Sequence, residues 1–426
     1  MVYMLMVQQS TMILLTVLLF AVSLPAPLFA TNSDCDGAGF CSTDNQVEYN
    51  IEHRTRPHPQ VKNLNYRVTA MSAKFRSLSG RNLDVWYDNG TPEGTEQAKL
   101  TPGMMATTNT YEGHSFFVTV QGNKSHVLSR FSITKERVLY PIYDPEVPAD
   151  EDTLEHNRRE EEYAEEYLHR TGRAWRHYYG IDGPRPPPTL FMWPADSIGD
   201  VHRVTSNQSY WKCMDSQENC QTFNESIALE LEVVSTEPRA FIISNFLSEF
   251  EAEQIIETAK PKLHHSTVGN KLGGGTRSSS TRTSSNAWIS RNSGPFYDSL
   301  YRRAADLLRL DEAILHPTQN VEDIQVVHYI NGQKYDSHHD WGVAGYPESR
   351  YITLLMYLTD MPSATAGGET SFPKGADGQG FKVMPKKGDA VLFYNLLEDG
   401  NGDDLALHAA LPAVEGEKWL ANFWVW

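Results

Sequence analysis

The stretch VVHYINGQKYDSHHD carries the residues best suited to chemistry. Apolar residues run to Ile330, Asn331-Gly332 signals a turn, and the chain resumes as an extended segment ending in His338-His339-Asp340. On a strand, side chains at i and i+2 share a face. His338 and Asp340 therefore point one way and His339 the other. One imidazole and one carboxylate on one face are two thirds of a facial metal site. His408, in the apolar frame LALHAALPAV, can supply the second imidazole. Two His and one carboxylate, with the opposite coordination positions open, suit non-haem Fe(II). HxD alone is a weak pattern, because 15 histidines make chance pairs common. On that reading His338 is a surface residue and Asp340 a turn cap.

Lys418 follows His408 by ten residues, in GEKWLANFWVW. A lone Lys among apolar strand residues usually snorkels to solvent. The other partner open to it is the far carboxylate of a dicarboxylic cosubstrate, through a charge-assisted bond that selects a diacid. HxD, a distal His and a Lys beyond it, in that order, favour the metal-site reading.

The segments FIISNFLSEFEAEQII, RTSSNAWIS, VVHYINGQKYDSHHDW, RYITLLMYLTD, GGETSFP, PKKGDAVLFYN and LHAALPAVEGEKWLANFW follow one another over about residues 238–426. Together they resemble the prolyl 4-hydroxylase family of Fe(II)- and 2-oxoglutarate-dependent dioxygenases. The resemblance implies Fe(II) on His338, Asp340 and His408, and 2-oxoglutarate chelated through its 1-carboxylate and 2-keto oxygens. It implies the 5-carboxylate on Lys418, with Tyr329 and Thr370 hydrogen-bonding the same region, although both residues also suit ordinary strand packing. Trp424 would shape the wall of the cofactor site. L-ascorbate would reduce iron oxidised in uncoupled turnovers. The implied reaction hydroxylates peptidyl proline and releases succinate and CO2. Arg282, in RTS, and Glu322 and Arg350 are candidate substrate contacts. A lysyl or free amino-acid hydroxylase and a non-catalytic binding protein on the same fold are the other readings. RTSSNAW and GGETSFP favour the prolyl branch, and the intact triad with Lys418 favours an enzyme.

The elements that must position these residues read as a domain over residues 237–426. AFIISNF begins as a strand, and Ser248 with Glu251 forms a capping box for a helix. Residues 295–310 read as an amphipathic helix. From Val321 short strands dominate, down to WLANFWVW. Mainly β structure with flanking helices fits a double-stranded β-helix, a jelly-roll relative. Residues 264–286 are rich in Gly and Ser and read as a loop. Gly273–Ser280 is either a lid over the substrate or a plain linker.

Upstream, residues 61–145 read as all-β, with runs such as NLDVWYD and HSFFVTV between NGTPEG and TPG turns. A small β-sandwich-like domain thus precedes the catalytic jelly roll. VWYDNG, LTPG and TYEGH resemble the β-domain of the von Hippel–Lindau protein over about fifty residues. That resemblance implies a hydroxyproline pocket from Trp86, Thr110 and His114, with Phe116 in place of a Trp and Gln97 in place of a Tyr. A structural or docking sandwich is the alternative. Residues 146–236 read as a helical and Pro-rich linker. EDTLEHNRREEEYAEEYLHR is a solvated helix over 150–171, with Asp150 and Asp152 at its start and Gly172 at its stop. GPRPPPTL, residues 183–190, is a stiff spacer or, less simply, a self-substrate.

Residues 1–30 read as a targeting segment. Met12–Val22 is apolar but short for a bilayer, Pro25 and Pro27 break it, and Ala30 suits a cleavage site. A signal peptide is the first reading and an uncleaved signal anchor, with membrane contact, the second. Residues 31–60 are polar and look loosely structured. Cys35/Cys41 and Cys213/Cys220 suggest disulfides, and Asn89, Asn123, Asn207 and Asn224 lie in N-x-[ST] sequons. These features point to the secretory pathway, the endoplasmic reticulum lumen or Golgi, though the WVW end carries no retention tail. A net charge of −17 over 426 residues argues against nucleic-acid binding, and the resemblance to prolyl 4-hydroxylases implies a Pro-rich peptide or protein as the partner.

Overall fold

The computed structural model describes residues 52–64, 69–176, 191–213, 226–267, 280–315, 320–330, 332–342 and 349–426. The expected targeting segment, the Cys35/Cys41 pair, Cys220, Asn224, the proline spacer and all of Gly273–Ser280 but Ser280 lie outside these residues. Cys213 is disulfide-bonded.

Strands β1 (Glu52–His53) and β2 (Val61–Asn63) come first. Seven strands follow: β3 (Met71–Leu78), β4 (Leu83–Tyr87), β5 (Thr95–Leu100), β6 (Met105–Thr110), β7 (Ser115–Val120), β8 (Asn123–Ser132) and β9 (Leu139–Tyr143). Helix α1 (Glu151–Thr171) leads to β10 (Asp200–Ser206), β11 (Ile227–Ser235) and β12 (Ala240–Ser244). Then come α2 (Glu249–Ala259), β13 (His264–His265), β14 (Ser285–Ile289) and α3 (Pro295–Leu308). The last strands are β15 (Ile324–Ile330), β16 (Tyr335–His338), β17 (Ile352–Tyr357), β18 (Thr370–Phe372), β19 (Phe381–Val383), β20 (Ala390–Tyr394), β21 (His408–Ala410) and β22 (Glu417–Val425).

Two facing sheets form the jelly roll expected from the strand-rich C-terminal half. The major sheet runs β1-β10-β11-β12-β20-β17-β22-β15-β14-β13, and the minor sheet runs β16-β21-β18-β19-β2. Strand alternation sorts the residues of the major sheet. Val327, Leu355 and Leu420 face the minor sheet and pack with Phe372, Phe381 and Val383. Their neighbours Val326, Leu354 and Ala421 face the other way, onto Ile255 of α2 and Leu300, Tyr301 and Ala304 of α3. The Ser248–Glu251 capping box is present, and Glu251 also receives the buried Arg303 guanidinium at 2.7 and 2.8 Å.

The domain boundaries differ from those expected. β2 pairs with β19, so it belongs to the minor sheet and not to the N-terminal sandwich. β1, β10 and β11 extend the major sheet, so much of the expected linker is catalytic scaffold. β1 and β2, two and three residues long at the sheet edges, carry little apolar periodicity, which is why neither announced its sheet in the sequence.

The sandwich itself is β3–β9, a three-stranded sheet β6-β3-β9 on a four-stranded sheet β5-β4-β7-β8. Phe75, Val85, Phe116 and Tyr140 fill its core. Helix α1 has Asp150 as N-cap, accepting from the Thr153 N–H at 2.8 Å, and Gly172 in the left-handed region at its end. The helix is not merely a solvated connector. Glu160 is buried against Arg76 of β3, and Tyr167 and Trp175 form a small apolar cluster with Val138 and Leu139.

The expected hydroxyproline pocket does not assemble. Trp86 pairs across strands with Phe117, and its ring stacks on Phe117 with Lys124 above it at 3.8 Å. His114 instead bonds Thr110 at 3.1 Å and lies beside Tyr87, on the core side. Tyr87 and Trp86 are consecutive on β4, so they face opposite sides of the sheet. A one-residue offset of side chains thus separates Trp86 from Thr110 and His114. Phe116 is core, and Gln97 sits exposed on β5.

Candidate metal centre

His338 closes β16 and His408 opens β21, and the two are direct cross-strand partners. Asp340 follows β16 by two residues. Their ligand atoms lie within 4.8 Å of one another. His408 Nε2 is 3.7 Å from Asp340 Oδ2, and His338 Nε2 is 3.6 Å from Asp340 Oδ1. His339 points away, to the Asp404 carbonyl at 3.2 Å.

The second nitrogen of each ligand imidazole is occupied. His338 Nδ1 donates to the Asp336 carbonyl at 2.9 Å, and His408 Nδ1 to the Ala406 carbonyl at 3.0 Å. These bonds select the tautomer whose Nε2 lone pair faces the cluster. Burial, then the neighbouring His408, holds His338 well below the usual imidazole range, so it is neutral and able to ligate. Burial alone would raise Asp340, but His408, His338, Arg350 and the Thr353 hydroxyl together bring it below the usual carboxylate range. Two imidazoles and one carboxylate fit Fe(II) as a donor set.

Asp340 is held by donors that sequence patterns did not reveal as a set. Its Oδ2 accepts from the Thr353 hydroxyl at 2.8 Å and from Trp424 Nε1 at 2.9 Å. Thr353 and Trp424 are cross-strand partners on β17 and β22, which sets both donors on one oxygen. Asn395 in turn donates to Thr353 at 2.8 Å. Trp424 was expected to wall the cofactor site; its indole N–H instead fixes the carboxylate. Replacing Trp424 by Phe should weaken metal binding by about tenfold, as loss of a ligand-orienting partner does. Calorimetric titration of Mn(II) into metal-free protein measures this, and an unchanged affinity would make Trp424 a packing residue.

Lys418 faces the space between the sheets, on the same side of β22 as Leu420 and Trp424, and is fully buried. It therefore cannot snorkel. No carboxylate among the described residues lies within ion-pair distance of its ammonium; Glu369 pairs with Lys382 instead. Thr370 Oγ1 is 3.4 Å away, and Tyr357 donates to that same oxygen at 2.9 Å. Tyr329, the cross-strand partner of Lys418, sets its ring 5.6 Å from the nitrogen. Burial lowers the Lys418 amine to about 7, with Glu369 opposing. A buried cation without a counter-ion is costly, so this position suits an acidic group brought by a ligand. Tyr357 was not singled out in the sequence, since it sits in an uninterrupted apolar run, RYITLLMY.

The expected substrate contacts lie at the rim. The Arg282 guanidinium is 4.7 Å over the Tyr335 ring, which stacks on His338 with centroids 3.6 Å apart. Arg350 pairs with Glu322, at 2.9 Å through one nitrogen, and lies 3.7 Å over the Trp424 ring. It also comes within 3.8 Å of Asp340.

The profile of the 2OG-Fe(II) oxygenase superfamily matches residues 324–426. Prolyl 4-hydroxylase 5 of Arabidopsis thaliana is 35% identical over 213 residues, covering 46% of this chain and 70% of the relative. Probable prolyl 4-hydroxylase 4 of the same plant is 37% identical over 215 residues, covering 45% and 68%. Among solved structures, a viral collagen prolyl hydroxylase from Paramecium Bursaria Chlorella virus-1, complexed with 2OG, is 28% identical with a TM-score of 0.34, covering 44% of this chain and 94% of that one. The matched oxygenase stretch contains His338, Asp340, His408 and Lys418, and the chain belongs to the prolyl 4-hydroxylase family of Fe(II)- and 2-oxoglutarate-dependent oxygenases.

Proposed function

We propose that the protein hydroxylates proline within peptide chains, using O2, Fe(II) and 2-oxoglutarate and releasing succinate and CO2. The observation that carries the reading is a buried two-His, one-carboxylate cluster in the same barrel as the buried Lys418 ammonium, which has no acidic group within ion-pair distance among the described residues. The prolyl part rests on the two plant relatives, which are named prolyl 4-hydroxylases.

The roles follow from position. His338, Asp340 and His408 would hold the iron, which when bound supplies the oxidising power for an unactivated C–H bond. Lys418 would receive the 5-carboxylate, with the Thr370 and Tyr357 hydroxyls beside it. Trp424 and Thr353 orient Asp340 through its Oδ2. Arg282, Tyr335 and the Glu322–Arg350 pair form the rim on the His338 side, where a peptide would enter and exclude water. Half-exposed Trp288, with its ring 6.1 Å from Trp424, adds an apolar surface for a proline ring. L-ascorbate is the reductant for iron oxidised without substrate.

The compartment belongs to the same proposal. Asn89, Asn123 and Asn207 are exposed, as glycan acceptors in the secretory pathway must be. Together with the apolar run Met12–Val22 of the sequence, they support a reading in which the enzyme works in the endoplasmic reticulum lumen or Golgi. No helix among the described residues is long and apolar enough to cross a membrane.

Succinate release measured across Pro-rich, Lys-containing and free-proline substrates, with mass spectrometry of products, tests the activity. A 16-Da gain on peptidyl proline is expected. A gain confined to lysine or to the free amino acid would move the enzyme to another branch, and no release with any substrate would leave a binding protein.

A further inference from the structure

Behind the metal centre, two of its three ligands rest on a layer tied to the N-terminal sandwich. Trp341 follows Asp340 directly. Its indole N–H donates to the Asp403 carbonyl at 2.9 Å, and its ring lies flat on Gly402, where a Cβ would stand 2.7 Å from ring atoms. The free face of that layer meets Lys74 of β3, whose ammonium is 5.8 Å over the Trp341 ring and donates to the Arg176 carbonyl at 3.0 Å. Arg176 and Asn401 are locked reciprocally. The Arg176 N–H donates to Asn401 Oδ1 at 2.8 Å, and Asn401 Nδ2 donates to the Ala174 carbonyl at 3.1 Å. One turn of chain away, the Tyr167 hydroxyl of α1 donates to Asp399 Oδ2 at 2.7 Å.

From residues 399–404 the contacts run on to the ligands by two routes. The Ala406 N–H donates to the Asp403 carbonyl at 3.2 Å, and the Ala406 carbonyl receives His408 Nδ1. The Asp403 N–H donates to the Asn395 carbonyl at 2.9 Å, and Asn395 reaches Asp340 through Thr353. Trp341 makes a third tie, through the backbone of Asp340 itself. The residues at the outer end, Lys74, Tyr167, Ala174 and Arg176, all precede the oxygenase stretch at 324–426.

We propose that Lys74 and Tyr167 are positioning residues for the metal ligands: the sandwich and α1 clamp residues 399–404 and Trp341 against the back of the centre. Iron binding then depends on a domain outside the oxygenase stretch. The inference rests on the Fe(II) reading of the triad. A sandwich that served only as a tethered module would need no buried polar contacts to this loop. Buried polar bonds of this kind, once one partner is removed, leave the other unsatisfied and shift what they held. Ligands displaced by even half an ångström lose affinity.

The test uses the full-length, metal-free protein titrated with Mn(II) by calorimetry, with thermal melting of the metal-free protein in parallel. Lys74→Met keeps the stem and removes the charge and donor; Tyr167→Phe removes one hydroxyl. Each is expected to raise the Mn(II) dissociation constant by about tenfold, the lower range for outer partners of a metal site. Lys124→Met, on the outer face of the same sandwich, should leave it unchanged. Variants that melt lower but bind Mn(II) as tightly as wild type would overturn the proposal, leaving an interface that is structural only. Should Lys74→Met fail to fold, Tyr167→Phe decides alone. A wild type that binds no Mn(II), or a His408→Ala variant that binds it as well as wild type, would instead reject the metal reading beneath it.

Discussion

Replacing His408 by alanine is expected to abolish peptide-dependent succinate release while leaving the fold intact. His408 sits on a three-residue strand, β21, whose backbone pairing with β16 and β18 does not depend on its side chain. Its imidazole is a ligand atom on one side and a donor to the Ala406 carbonyl on the other. Alanine removes one of the three ligands that the described residues bring together, so the remaining His338 and Asp340 cannot hold iron in the facial arrangement. The stability cost is modest because the released carbonyl and the vacated space are next to the solvent-reached His338 face. Turnover and Mn(II) binding below detection, with a melting temperature within a few degrees of wild type, is the expected result. A purified variant hydroxylating peptide near the wild-type rate would refute the ligand assignment.

Lys418→Ala carries the second large effect. Among the described residues the buried ammonium has no acidic group within ion-pair distance, and on the proposed reading the cosubstrate supplies it. Removing one member of a buried ion pair costs about 3–5 kcal/mol, which is on the order of 10²–10⁴-fold in the 2-oxoglutarate requirement. Mn(II) affinity should be spared, since Lys418 contacts Thr370 and not the triad. Lys418→Arg should not restore the wild-type requirement, because a planar fork does not fit a socket built for a point charge between Thr370 and the Tyr329 ring. An unchanged Michaelis constant in the alanine variant would remove the role.

The same lysine predicts a pH dependence whose sign is definite. Burial lowers the amine of the ligand-free protein to about 7, well under its ordinary value. At pH 8.5 it is therefore mostly neutral before 2-oxoglutarate arrives. The incoming carboxylate favours the ammonium form, so binding takes up a proton above pH 7. Affinity should fall as pH rises from 7, by up to about tenfold per unit. Calorimetry at pH 8.5 in buffers of different ionisation enthalpy reads this directly. A binding enthalpy independent of buffer would mean that the amine is already charged in the empty site.

The metal triad was legible in the sequence because its parts are local or conspicuous. His338 and Asp340 share a face by strand alternation, and Lys418 is a lone cation in an apolar strand. The flanking helices α2 and α3 were legible for the same reason, through capping and apolar spacing. Thr353, Asn395 and Tyr357 were not. Each is an ordinary polar residue in a buried strand, and its meaning comes from which strand lies beside it. Register supplies that: Thr353 meets Trp424, Tyr329 meets Lys418 and His338 meets His408 across strand pairs.

Charge patterns proved the least informative in isolation. The Glu- and Arg-rich α1 has the composition of a solvated face, yet Glu160 and Tyr167 are buried against the sandwich and the 399–404 loop. The hydroxyproline-pocket motif met the same limit, since Trp86 stacks on Phe117 while His114 bonds Thr110 and lies beside Tyr87. The sequence by itself determined the two His and one carboxylate of the cluster and singled out Lys418 as a lone cation, because those features depend on residue type and short-range periodicity. Only the tertiary structure decided how Asp340 is oriented, what Lys418 lacks, and how far the sandwich reaches toward the iron site. Those depend on long-range register and on burial, where a hydrogen bond or a missing counter-ion acquires its energetic weight by the exclusion of water.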